Sequence, residues 1–112
     1  MAQDFRNAFR ADLPTSHHDT NSLLWTGGNY DALISIRLAN IVTSTVNVDV
    51  YIRRSSVDYY LIKNAPIASG GSIELIDSGS KIVMVSGDVL YAIASAATSV
   101  DAMVSAVDTI SS

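Results

Sequence analysis

The stretch Val46–Val89, VNVDVYIRRSSVDYYLIKNAPIASGGSIELIDSGSKIVMVSGDV, decides the fold. It opens on strict alternation. Val46, Val48, Val50 and Ile52 fall on one side of a strand, and Asn47, Asp49, Tyr51 and Arg53 on the other. Ser55-Ser56 breaks the run, and Tyr59–Lys63 reads as the next strand. Beyond Pro66 and Gly70-Gly71, the spacing predicts strands at Ser72–Ile76 and Lys81–Val85, separated by Ser78-Gly79-Ser80. Short strands set between Gly, Ser and Pro turns are the mark of an antiparallel sandwich or barrel.

Working outward, Gly87-Asp88 turns the chain into a strand at Val89–Ile93, with Asp88 bonding to local backbone. Val100–Asp108 fits both a helical and a strand period. The Thr98-Ser99 turn, and a frame that lacks one partner, favour a strand. Upstream, Asp31–Val42 alternates Ala32, Ile34, Ile36 and Leu38 with Leu33, Ser35, Arg37 and Ala39. Asn21–Thr26 reads as a short strand that forms a hairpin with it through Gly27-Gly28-Asn29. The expected fold is all-β: a two-sheet antiparallel sandwich, jelly-roll or immunoglobulin-like, of about seven or eight strands. Ile36, Val48, Val50, Ile73 and Ile82 are expected in its core.

Residues 1–20 have a different texture, and the division expected is an N-terminal arm over 1–20 and a sandwich domain over 21–112. Phe5 and Phe9, spaced i, i+4, are the only phenylalanines, with Arg6 and Arg10 beside them. The spacing suits one or two helical turns ended by Pro14. Two readings fit the segment equally: the two Phe pack back on their own sandwich, or the arm orders only against a neighbouring subunit. The second is the expectation, since two Phe do not offset the entropy of ordering some ten residues. The segment Met1–Pro14 carries Asp4, Arg6, Arg10 and Asp12 and lacks an apolar core, so it does not read as a signal peptide.

Composition narrows the function. The net charge of −4 argues against nucleic acid as a partner, and no apolar run is long enough to span a bilayer. There is no cysteine, hence no disulfide and no thiolate metal site. Charged residues make up 16%, where about 25% is usual. Two readings fit that figure equally: a surface made polar by Ser, Thr and Asn, or one covered by other subunits.

His17-His18-Asp19 holds metal-ligand types, but neighbouring residues of a strand point to opposite faces and no third His exists. They read as solvated loop residues, and no metal or cofactor is expected. No nucleophile–His–acid set and no phosphate-binding loop can be assembled, so no enzyme is expected. Arg53-Arg54 with Asp58-Tyr59-Tyr60 is a composition common at protein interfaces. The bland alternative is an edge turn with a local Arg–Asp pair; a shallow glycan site ranks third. The candidate interface residues are Phe5, Arg6, Phe9, Arg10, Arg53, Arg54, Tyr59 and Tyr60.

The wording of the chain, IRLANIVTSTVNVDVYIRRSSVDYYLIKNAPIASGGSIELI, then SKIVMVSGDVLYAIAS and SVDAMVSAVD, resembles small β-sandwich structural proteins of tailed bacteriophages, marine and cyanobacterial phages in particular. The resemblance spans Asp31 to Asp108. It rests on Tyr59–Leu61, the turn from Pro66 to Gly70, Ile73–Leu75 and the turn Ser86–Asp88. It implies a virion protein acting in multiple copies, as capsid decoration or a neck, tail or baseplate component. Its partners would be other virion proteins and its own copies, as a trimer or higher oligomer. A receptor- or glycan-binding module of the particle is the alternative.

Overall fold

The computed structural model describes residues 4–28, 30–76 and 82–108. Among the described residues nine strands run in chain order: β1 (Asp4–Arg10), β2 (Leu23–Thr26), β3 (Tyr30–Asn40), β4 (Val46–Arg54), β5 (Val57–Ile67), β6 (Ser72–Glu74), β7 (Ile82–Val85), β8 (Val89–Ala94) and β9 (Val100–Asp108). They form two antiparallel sheets. One has the order β1-β9-β3-β6, with β7 also pairing β3; the other has the order β2-β8-β4-β5. Strands β6 and β7 pair successive stretches of β3, Arg37–Ala39 and Tyr30–Leu33, and so act as one interrupted strand. The result is a jelly roll, in which the chain crosses between sheets at almost every connection. The turn Ser78-Gly79-Ser80 and Lys81 lie outside the described residues.

Among the described residues, the one hairpin within a sheet is β4–β5, closed at Arg54↔Val57. Ser55 and Ser56 take φ of 52° and 64°, the left-handed pair that a two-residue turn needs to match strand twist. The hairpin expected between the second and third strands does not form. Strand β2 pairs β8, while β3 pairs β9 in the other sheet, because the Gly27-Gly28 turn carries the chain across the sandwich. Asn29 of that turn lies outside the described residues.

Apolar side chains of both sheets meet between them. Leu33, Ile36 and Leu38 of β3 and Val100, Ala102, Val104 and Ala106 of β9 face Val46, Val48 and Val50 of β4 and Leu90 and Ala92 of β8. Ile36, Val48 and Val50 are buried as expected, whereas Ile73 and Ile82 are only half-buried on the edge strands. Strict alternation also fails once in β3. The pairing of β3 with β9 slips between Leu33 and Ser35. This bulge turns Leu33 inward ahead of it and Ile36 and Leu38 inward beyond it, leaving Ile34 half-exposed. Where β6 stops, Glu74 takes over its pairing role: its carboxylate accepts from Ser35 Oγ (2.7 Å), Ile36 N (2.8 Å) and Ile76 N (3.2 Å).

The N-terminal segment differs most from expectation. Residues 4–10 are neither helical nor separate from the sandwich: β1 pairs β9 from Asp4↔Asp108 to Arg10↔Ala102. Leu13 is wholly buried, and its N–H donates to Val100 O at 2.9 Å. Spacing of four residues keeps Phe5 and Phe9 on one face of a strand as well as of a helix, and the unpaired edge of β9 decides between them.

Candidate functional site

The outer face of the β2-β8-β4-β5 sheet gathers most of the chain's chemistry. Alternation points Tyr51 and Arg53 of β4, Asp58 and Tyr60 of β5, and Tyr91 of β8 outward. Cross-strand register then sets Tyr51 opposite both Tyr60 and Tyr91, and Arg53 opposite Asp58. The tyrosine rings pack at centroid distances of 5.2 Å (Tyr51–Tyr60) and 5.3 Å (Tyr51–Tyr91). The connection from β1 to β2 lies across this face, bringing His17 and His18 to within 5.5 and 5.6 Å of the Tyr51 ring. Tyr51 is thereby wholly buried on what strand phase alone makes an outward position.

His18 is bound from several sides. Its N–H donates to Tyr51 Oη at 2.9 Å, and its Nε2 lies 3.0 Å from Asp58 Oδ2 and 2.7 Å from Arg53 Nη1. One ring nitrogen thus faces an acceptor and a donor. Carrying the proton, Nε2 donates to Asp58; with the proton on Nδ1, it accepts from Arg53. Arg53 Nη1 also donates to Asp58 Oδ1 at 2.8 Å. Burial pulls the Asp58 carboxyl upward, but hydrogen bonds and charge from His18 and Arg53 outweigh it and hold the group below the usual carboxylate range. Burial pushes the Tyr51 phenol up to about 12, against the lowering effect of the bond from His18 N.

Burial thus keeps the Tyr51 hydroxyl protonated at neutral pH. The two histidines approach the same ring because residues 17–18 are a turn and not a strand, with His18 at φ 59°. That removes the geometric objection to a shared ion. Among the described residues, though, no three His, Cys, Asp or Glu side chains converge.

The remaining sites expected from sequence fall elsewhere. Arg54 and Tyr59 leave the hairpin on the side opposite Arg53 and Tyr60, so the four do not line one patch. Arg54 makes a two-pronged pair with Asp88, both contacts at 2.6 Å, while Asp88 also accepts from Val85 N at 3.0 Å. Asp88 therefore bonds local backbone as expected, and the Arg54 hydrogen bond holds its carboxyl below the usual range despite burial. With Ile52, Tyr59 and Val83, this pair walls a cleft at the open end of the sandwich. On β1, Arg10 Nε and Nη2 donate to Leu23 O at 3.3 and 3.1 Å, and Phe9 is 71% exposed beside Met103, its partner on β9. Arg6 is exposed on the same strand; the Phe5 side chain lies outside the described structure.

One polar cleft has no counterpart in the sequence reading. Thr15, Asn47, Asp49, Asn64 and Ser95 line a space of about 200 Å³ beside the tyrosine face. Asp49 Oδ1 accepts from Asn64 N at 2.8 Å, and Lys63 Nζ sits 4.4 Å above the Tyr60 ring. The odd-numbered Asn47-x-Asp49 phase marked these residues as outward, but their meeting with Thr15 and Ser95 depends on long-range packing. Comparison of the chain with protein-family models, with curated proteins and with solved structures finds no match.

Proposed function

We propose that this chain is a structural subunit of a tailed-phage virion, acting in multiple copies through contacts between subunits and catalysing no reaction. The observation that carries the reading is Phe9. It stands 71% exposed on an edge strand, next to Met103 at 38%. An apolar step on a sheet edge is costly to leave in water and invites pairing with another chain. Jelly rolls serve as viral capsid and lectin domains, which agrees with the resemblance to phage structural proteins, although a fold by itself assigns no function. Light scattering across a concentration series, with the chain alone and mixed with the particle, tests the reading. It predicts a mass above the monomer or co-sedimentation with the particle. A monomer that binds no particle would sink it.

The polar cleft supports a second reading, a glycan-binding module. Asn47, Asp49 and Asn64 offer paired donors and acceptors suited to sugar hydroxyls, and Tyr60 and Lys63 flank them. Calorimetric titration with a panel of oligosaccharides separates the two: saturable heat that vanishes in Asn64→Ala would favour the module.

A further inference from the structure

Resting on the subunit reading, we propose that the partner at β1 is a second copy of this chain, joined by antiparallel pairing of β1 with β1 about a two-fold axis at Asn7. Strand β1 ends its sheet, so among the described residues its outer edge has no strand beside it. Its sequence, DFRNAFR, is complementary to itself when reversed. Centred on Asn7, the pairing sets Asp4 opposite Arg10 and Phe5 opposite Phe9. It does so twice, once on each side of the axis.

The alternatives are worse. A two-fold axis perpendicular to the sheet keeps each residue on its own face, so only registers that set a residue opposite itself are allowed. Centring on Arg6 opposes two arginines directly. Centring on Ala8 opposes Arg6 with Arg10. Like charges directly across a sheet repel, whereas opposite charges and aromatic pairs attract. Centring on Phe5, which opposes Asp4 with Arg6, or on Phe9 pairs only three residues of β1, whereas Asn7 pairs all seven. The Asn7 register is thus the one that uses the whole strand without opposing like charges. It also brings the partner's strand alongside the exposed Phe9–Met103 step and continues the β1-β9-β3-β6 sheet through both copies.

The absence of cysteine makes the register directly readable. In the Asn7→Cys variant, two thiols would meet across the axis at a separation a disulfide accepts. In Phe9→Cys, they would lie four residues apart, about 13 Å along the strand, and would not join. A mixture of Phe5→Cys and Phe9→Cys chains would join again. Mild oxidation followed by non-reducing electrophoresis reads all three, and Asn7 is exposed, so its replacement should leave melting unchanged. The expected result is a covalent dimer for Asn7→Cys and for the mixture, with Phe9→Cys alone remaining monomeric. A dimer from Phe9→Cys alone would overturn the register. Failure of Asn7→Cys to join in a chain that self-associates or binds the particle would overturn the β1 seam and leave the subunit reading standing. A chain that does neither would overturn both.

Discussion

A methyl group on Gly27 would clash with the carbonyl oxygen of Val85, and Gly27 N donates to Asp88 O at 2.7 Å. The β2–β3 crossing is held to the β7–β8 turn by this contact between backbones, and neither side can yield as a flexible side chain would. Gly27→Ala should therefore cost about 1–3 kcal/mol, the usual range for overpacking, measured by urea unfolding. A change under half a kilocalorie would mean that the turn relaxes. Val50, wholly buried at the centre of β4, makes the complementary case. Val50→Asp places a carboxylate where no partner waits, a burden of several kcal/mol. No cooperative melting transition should survive, and a midpoint close to the parent's would contradict the strand phase.

Strand β1 and the buried Leu13 belong to the sandwich, so removing residues 1–14 should destabilise it. Leu13→Ala alone should cost about 2–5 kcal/mol, lowering the melting midpoint by roughly 10 °C or more in a domain of this size. An unchanged midpoint after deletion would restore the picture of a detachable arm. Sequence hid this strand because Phe5 and Phe9 fit both periods, and because its pairing partner lies almost the whole chain away, at β9. The β4–β5 hairpin was legible for the opposite reason: its turn and both strands are local. The alternating strands were legible one by one, but which strands share a sheet was not, since alternation carries no information about partners. The tyrosine–histidine face suffered likewise. Each of Tyr51, Tyr60 and Tyr91 is outward by phase, yet their meeting under His17 and His18 depends on three strands and a loop.

Asp58, Asp88 and Tyr51 each contribute to the pH dependence of stability. Asp58 clasps the His17-His18 loop to the outer face, and Asp88 ties the end of β4 to the β7–β8 turn. Both carboxyls are held below their ordinary values in the fold. Stability from a depressed carboxyl is present above its unfolded pKa, near ~3.9, and is lost as pH falls through the folded value. The acid limb of the stability curve should thus begin below about pH 4. At the other end, Tyr51 is raised to about 12. A raised group contributes stability that is intact below its unfolded value, near ~10, and lost as pH rises through the folded one. The alkaline limb should begin near pH ~10 and steepen toward ~12. Urea unfolding at a series of pH values checks both limbs. Asp88→Asn removes the charge opposite Arg54 while keeping an oxygen for Val85 N, so it should be less stable than the parent at neutral pH and converge with it in acid. Tyr51→Phe should lose the alkaline limb and, through its lost bond to His18 N, a small and pH-independent amount elsewhere. If Asp88→Asn kept a constant deficit down to pH ~2, well below the ordinary carboxylate value, the Arg54–Asp88 pair would not be the group that titrates, and the acid limb would belong to other carboxylates.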